Sequence, residues 1–414
     1  MIASMSKQSQ HTKIPSDIPD QILQDIKTAH NDVPNLVGSY PEFTCETHKV
    51  TTCDGYILSI HRLRHKNKIL SKNQFPVLLQ HGLLADSALW ILNGGDENSL
   101  GFALALAGYD VWMANSRGNT YSREHETMSG WNPLHLKYWD FSFEDMALYD
   151  LPATVDYILG ETDSHQIHYV GHSQGTLIMF IAMDEYGVDF QDKIATFSAI
   201  APIAFMVNAT SPLATFAKSS LASLCYTNVW AVVGQKYTGL VGDFIVKKFT
   251  DSLANSSREA GGSKTLLAKV VGFFPERYHP DKLQGYVKHI SSGTSIKDLF
   301  HFGQIIRAGK PTKFSIRDWT FSVSEGKSYN LNRIQNKKID IYCGLDDSLS
   351  YHEDISILEG LLRIQNNDVR RFDFEKYDHM SLVWAKDVYE KINRKIIDSL
   401  EGFTKSIVPE IINE

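Results

Sequence analysis

An open, mostly parallel β-sheet covered by helices on both faces is the fold class this sequence predicts, and three observations predict it. Short β-type runs alternate with segments of i, i+3, i+4 apolar spacing along most of the chain. An Asp-Gly pair, Asp54-Gly55, lies between two alternating segments, a strong hairpin signal. One strand run, at 166–170, passes through a Gly-x-Ser-x-Gly directly into a helical segment.

The elements follow in order. Residues 1–35 are polar and Pro-punctuated and read as a loosely held arm, in which DQILQDIKTAH is expected to form a short helix. CETHKVT and YILSIHRL are the two arms of the hairpin. Further strands are expected at 76–80, 110–115, 166–170, 194–202, 338–344 and 369–374, which with the hairpin makes eight. Helical spacing falls at 142–159, 174–186, 352–362 and 384–399. Near-continuous apolar strands with intervening helices argue for a sheet buried on both faces.

One interval breaks the rhythm. About 135 residues separate SAIAP from KIDIYCG, far beyond a normal crossover. They are rich in Phe, Leu, Tyr and Val, with helical stretches such as SSLASLCY, KTLLAKVVGFF and IKDLFHFGQIIRAG. The expected organisation is an arm (1–40), a core (41–203 and 335–414) and an inserted helical cap (204–334).

Composition narrows the function classes. With 43% hydrophobic and 21% charged residues, 27 Gly and 13 Pro, the chain reads as an ordinary globular protein. A net charge of −7 with no long basic run leaves no electrostatic footprint for nucleic acid. The four cysteines (Cys45, Cys53, Cys225, Cys343) are too few for a disulfide framework and match no zinc spacing. Cys45 and Cys53 sit where a hairpin pair is conceivable, but two ordinary thiols are the expectation. No run of about 18 apolar residues suggests a spanning helix. The opening MIASMSKQSQHTKIPSDIPDQ lacks the apolar region of a secretory signal, and the sequons at Asn208 and Asn255 matter only in a secreted protein.

The stretch IHYVGHSQGTLIMF (167–180) carries the chemistry. Gly-x-Ser-x-Gly is weak by itself; a strand before it and a helix after it make it a nucleophile elbow. The turn forces Ser173 into a strained conformation, and Gly171 and Gly175 leave room for strand–helix packing. A serine nucleophile needs a base, and the base an orienting acid. In α/β hydrolases these follow in the order serine, acid, histidine. KIDIYCGLDDS supplies Asp346 and Asp347 after a strand, and spacing does not choose between them. FDFEKYDHMSLVW supplies His379 between the last strand and the closing helix. The oxyanion donors are expected to be the N–H of Gln174, next to the nucleophile, and of Leu83, in the turn that HGLLADSALW makes after strand 76–80. Trp131, Trp139 and Phe141 read as packing residues before substrate-entrance residues, while Phe273-Phe274 fit lid and core alike.

These residues resemble the acid lipase family of α/β hydrolases, which holds the lysosomal acid and gastric lipases, plant triacylglycerol lipases and fungal steryl ester hydrolases. The matching pieces run in order from about residue 40 to 395: VTTCDGYILSIHRL, QHGLLADSALW, GYDVWMANSRGNTYSREH, YWDFSFEDMALYDLPATVDYI, VGHSQGT and YDHMSLVW, with a looser match in HISSGTSIKDLFHFGQIIRAGK. The wording is closest to the plant branch. The resemblance implies an α/β-hydrolase fold with a helical cap, acyl-enzyme chemistry on lipid esters, Ser173 as nucleophile, His379 as base, and Leu83 and Gln174 as oxyanion donors. The family's Gly-x-Asp pattern selects Asp346 over Asp347. The chain departs from the family in carrying Ser381 two positions after the base, and DSLSY after the acid.

The expected activity is therefore that of a serine carboxylic-ester hydrolase acting on lipophilic esters such as acylglycerols or steryl esters, with no metal or cofactor. Acyl transfer to an alcohol by the same three residues, and a non-catalytic lipid-binding or receptor role, are the two rivals. The expected partners are the ester substrate and, through the cap, a lipid surface; no nucleic acid and no transmembrane segment are expected. The sequence as written points to the cytoplasm or a lipid surface, and the resemblance to a secreted or lysosomal setting.

Overall fold

A computed structural model of the chain describes residues 32–68, 74–132, 135–211, 214, 215, 218, 275–290, 292–315, 327–335 and 337–407. SSLASLCY, KTLLAKVVGFF, Phe273-Phe274, Cys225, Asn255 and the helix expected at 20–30 lie outside these residues.

The Asp-Gly signal marks a hairpin. β1 (Phe43–Thr51) pairs antiparallel with β2 (Tyr56–His65), in register from Phe43 opposite His65 to Thr51 opposite Ile57. The turn closes through Gly55 N–H to the Thr52 carbonyl, and Gly55 takes φ +91°, which glycine adopts at little cost. Cys45 lies opposite Leu63 near the far end of the hairpin, while Cys53 is exposed in the turn, and both are free thiols.

The remaining strands are β3 (Val77–Gln80), β4 (Val111–Met113), β5 (Glu124–His125), β6 (Ile167–His172), β7 (Ile194–Ile200), β8 (Lys338–Gly344) and β9 (Asp368–Phe374). The sheet runs β1-β2-β4-β3-β6-β7-β8-β9, parallel from β4 onward, with β5 paired to β2. Among the described residues nine strands replace the expected eight, because Glu124 and His125 pair with Ile57 and Tyr56. Two residues are too short to show a period in sequence.

Alternation decides which face each side chain joins. Leu78, Trp112 and Tyr169 enter one buried cluster, while Val77, Leu79, Val111, Met113 and Val170 enter the other. The second cluster is closed by α1 (Asp32–Gly38), α2 (Leu100–Leu106), α5 (Leu283–His289) and α8 (Arg394–Ile407). The first is closed by α3 (Leu151–Thr162), α4 (Gln174–Tyr186), α6 (Ile296–Ala308) and α7 (His352–Ile364). Every residue of α4 from Gln174 to Asp184 is buried, the pattern of a helix packed on all sides.

One expectation is revised and another met. The loosely held arm does not extend through residues 32–35: α1 begins at Asp32 and buries Val33 and Val37 completely or nearly so. Within the interval 204–334, α6 matches the expected IKDLFHFGQIIRAG helix, capped by the Ser295 hydroxyl on Asp298 N–H and ended by Gly309 at φ +68°. Trp139 and Phe141 are buried beside Tyr56 and Tyr138, as packing residues, and Trp131 stacks with the Arg123 guanidinium. Asn208 bonds through its backbone and side chain to Asp354. Among the described residues no helix is long and apolar enough to cross a membrane, and no group of three or more His, Cys, Asp or Glu side chains is placed to hold a metal ion.

Candidate active site

The parallel strands bring four loops together at their carboxyl ends, where open α/β sheets bind ligands. β3 leads into the turn bearing Leu83, β6 into Ser173, β8 into the two aspartates and β9 into His379.

Ser173 sits between β6 and α4 at φ 54°, ψ −118°, a conformation strained for any residue with a Cβ. Its surroundings hold it there. The Ser173 N–H donates to the Ile200 carbonyl (3.0 Å), and the Thr176 N–H and hydroxyl both donate to the Ser173 carbonyl (2.9 and 2.6 Å). The flanking glycines are required by contact distance. A Cβ on Gly171 would lie 2.9 Å from the Gly175 carbonyl carbon, and one on Gly175 would lie 2.5 Å from the Gln80 oxygen. The serine is 8% exposed, nearly shielded from bulk water.

His379 Nδ1 lies 2.7 Å from Oδ2 of Asp347, and both side chains are buried. Since the carboxylate accepts, Nδ1 carries the proton and Nε2 is left with its lone pair, the tautomer a general base needs. The other oxygen of Asp347 accepts the N–H groups of Leu349 and Ser350 (2.8 and 2.9 Å), so the carboxylate is locked in one orientation.

Asp346, the residue selected by the Gly-x-Asp pattern, does not meet the histidine. Its backbone N–H bonds the Tyr377 carbonyl (3.1 Å), and its side chain is exposed while that of Asp347 is 1% exposed. The reason is the turn after β8: Asp347 N–H donates back to the Gly344 carbonyl (3.2 Å), and this one-residue step carries the second carboxylate inward. The aspartate that meets His379 is thus Asp347 and not Asp346, an alternative that spacing had left open.

His172, next to Ser173 in the chain, meets the turn that carries His379. Its Nε2 donates to the His379 carbonyl (3.1 Å), and the two rings lie 4.9 Å apart. Burial and the neighbouring His379 hold the His172 pKa well below its ordinary value, so it stays a neutral donor. Asp378, next to the base, accepts the N–H groups of Met380 and Ser381, the Ser381 hydroxyl and the Tyr278 hydroxyl. Ser381, the departure noted in the sequence, therefore helps fix the turn that carries the base.

The two expected oxyanion donors lie in segments that meet at the elbow. Gln174 is the first residue of α4, so its N–H has no acceptor one turn back. Leu83 N–H has no backbone acceptor among the described residues. The turn presses on the elbow: a Cβ on Gly82 would lie 3.0 Å from both His172 Nδ1 and Ser173 Cβ. His81 Nδ1 donates to the Gly82 carbonyl (2.8 Å) while its Nε2 accepts the Ser116 N–H (3.1 Å). Burial lowers the His81 pKa, consistent with this neutral tautomer.

His172 and Asp378 were not singled out from the sequence, and His81 was read only as part of the tight His81-Gly82 exit from the strand. Each neighbours a motif residue in the chain, which is the signal that would have found them; their partners are visible only in three dimensions.

Two family descriptions match the chain: a partial alpha/beta-hydrolase lipase region over residues 37–94, and the alpha/beta hydrolase fold over residues 76–386. Gastric triacylglycerol lipase from Bos taurus is 35% identical over 374 residues, covering 87% of this chain and 88% of its own. The lysosomal acid lipase/cholesteryl ester hydrolase of Homo sapiens is 34% identical over 375 residues, covering 88% and 90%. Among solved structures, a candidate lipase from Sulfolobus solfataricus matches with TM-score 0.55 at 12% identity, covering 87% of this chain and 95% of that one, a likeness of fold.

Proposed function

The chain belongs to the α/β-hydrolase lipases that include the gastric and lysosomal acid enzymes and is a carboxylic-ester hydrolase, and we propose that Ser173, His379 and Asp347 are the groups with which it cleaves lipophilic esters. His379 Nε2 takes the Ser173 proton as the serine oxygen attacks the ester carbonyl. The N–H groups of Leu83 and Gln174 hold the tetrahedral oxyanion, whose charge is worth most to stabilise in a water-poor site. The imidazolium, steadied by Asp347, then protonates the departing alcohol. Water, deprotonated by the same histidine, attacks the acyl-enzyme and returns Ser173.

The strained elbow is the observation that carries this reading. A non-glycine residue at φ 54° needs external bonds to persist, and here that strain sits at the strand end next to the loop whose His379 Nδ1 meets Asp347. The relatives are named for triacylglycerol and cholesteryl esters. We extend both classes to this chain as the substrates to test, and assign the selection between them, with peripheral contact to a lipid surface, to the inserted segment 204–334.

Replacing Ser173 by Ala tests the reading. Turnover of a long-chain p-nitrophenyl ester is expected to fall at least about 10⁴-fold with the thermal transition kept. Retained turnover overturns the assignment. A panel of triacylglycerol, steryl ester and short-chain ester then sorts the substrate, and triolein-emulsion binding tests the surface contact.

A further inference from the structure

The turn bearing Leu83 is strained and needs help. Leu84 takes φ +63°, in the left-handed region, immediately after the expected donor. On the near side, the His81 ring holds the Gly82 carbonyl. On the far side the bonds come from a different part of the chain, the segment running from α5 to Ser292. Ser292 N–H donates to the Leu84 carbonyl at 2.8 Å. His289 Nδ1 lies 2.9 and 3.1 Å from the two oxygens of Asp86, two residues further on. Ser292 is itself fixed, its hydroxyl accepting Thr120 N–H (3.2 Å) and its carbonyl accepting the Thr120 hydroxyl (3.0 Å).

The Asp86–His289 pair is buried, with residues 2% and 3% exposed. Asp86 also accepts Ala88 N–H, capping the turn Ser87–Trp90. Burial pushes the Asp86 carboxyl upward, but the charge and hydrogen bond of His289 and the Ser292 hydroxyl outweigh it, leaving the group below its ordinary value. Nε2 of His289 points to Asp32 Oδ2 at 3.8 Å, away from any proton-transfer role. The rest of α5 is wedged in the same corner: Tyr286 stacks on Trp384 at 4.3 Å and bonds Asn93, and Trp384 Nε1 donates to the Leu89 carbonyl.

We propose that His289 is a positioning residue for the oxyanion turn: through Asp86 and the adjoining Ser292–Leu84 bond, the segment 283–292 fixes the peptide that presents Leu83 N–H. A donor acts fully only when held at hydrogen-bond distance, about 2.7–3.1 Å, from the forming oxyanion, so a shift of a fraction of an ångström weakens it. Releasing the far end of a strained turn lets Leu84 relax and swings the Leu83 N–H off line. Because the contact acts on the transition state, its loss lowers kcat and leaves substrate binding nearly untouched. The proposal rests on the ester-hydrolase reading of Ser173 and Leu83.

The full chain is compared with His289→Leu, His289→Asn and Asp86→Asn. Asn places an amide nitrogen where Nδ1 stands and keeps the bond to Asp86; Leu removes it. Active sites are counted by labelling Ser173 with a phosphonate, so that misfolded protein is excluded. Per labelled site, His289→Leu is expected to lose about tenfold to hundredfold in kcat on a long-chain p-nitrophenyl ester, a part of what losing a whole oxyanion donor costs. KM should stay within about twofold. Affinity for a trifluoromethyl ketone, which adds Ser173 to form an oxyanion, should weaken in the same proportion as kcat. His289→Asn should recover most of both, and Asp86→Asn should show the loss if His289→Leu does not fold. Parent-like kcat per labelled site in His289→Leu or Asp86→Asn overturns the proposal, as does a loss confined to the labelled fraction. Were Ser173→Ala to retain turnover, the nucleophile assignment would fail instead; an inactive Ser173→Ala beside a parent-like His289→Leu sinks the positioning role alone.

Discussion

Two buried aspartate–histidine pairs of nearly the same geometry sit within this one site. In each the histidine Nδ1 meets a carboxylate, at 2.7 Å for His379 with Asp347 and 2.9 Å for His289 with Asp86. Their far nitrogens differ. The His379 ring lies 4.9 Å from that of His172, the neighbour of Ser173, whereas His289 Nε2 lies 3.8 Å from a second carboxylate, Asp32. A carboxylate–imidazole bond therefore does not identify a catalytic base. The second nitrogen does, because it alone exchanges a proton with the substrate or nucleophile.

The largest effect expected from breaking this comparison is at the first pair. Asp347→Asn should lower kcat by roughly 10³- to 10⁴-fold, the scale seen when the acid of such a triad is made an amide and the imidazole tautomer is lost. Asp346→Asn, which alters an exposed side chain, should stay within about twofold of the parent. Steady-state kinetics on the two variants decides between the adjacent aspartates, and the reverse ranking would restore Asp346.

Next, the two histidines can be exchanged for the same residue. His379→Asn should be inactive, with kcat down by about 10⁴-fold, because an amide nitrogen cannot act as a base. His289→Asn should keep most of its activity. Equal losses at the two positions would erase the distinction drawn above.

A smaller effect is expected at Gly82. The added methyl of Gly82→Ala must displace His172 Nδ1 or the Ser173 Cβ, each 3.0 Å away, so kcat should fall about tenfold to hundredfold with little change in the thermal transition. A parent-like kcat would mean that the turn does not press on the elbow when substrate is bound.

The smallest effect concerns stability away from the chemistry. Asp298, buried at the start of α6, accepts Phe143 N–H and the Thr294 hydroxyl (2.7 and 2.8 Å). Burial nonetheless pushes its carboxyl up from 3.8 to about 7. The folded state then holds this proton more tightly than the unfolded chain. Its stabilising contribution is full below about pH 4 and is lost as pH rises toward 7. Asp298→Asn should remove that slope, so its melting temperature should gain on the parent by a few °C between pH 4 and pH 7, roughly as a change of 1 kcal/mol or more does in a domain of moderate size. Parallel melting curves across that range would show that Asp298 does not titrate there.

Much of the site was legible because its chemistry is written locally. The elbow needs a strand, two glycines and a helix within a few residues, and all are contiguous around Ser173. The base follows the last strand in the expected order. The acid was harder: Asp346 and Asp347 share one strand end, and the turn bond from Asp347 N–H to Gly344 decides which faces inward. β5 escaped notice because two residues carry no period, and α1 because its two buried valines dock on residues distant in the chain.

The sequence by itself determined the class of sheet, the order in which Ser173, the two aspartates and His379 follow its strands, and the long interval of chain before β8. These follow from periodicity and short motifs, which depend on neighbours along the chain. Tertiary structure alone decided which aspartate meets His379, that His172 ties the base to the elbow, and that His289 reaches Asp86 across 203 positions. Each of those contacts joins groups far apart in sequence, or turns on a side chain's direction. Such contacts form only when packed strands and helices bring their ends together.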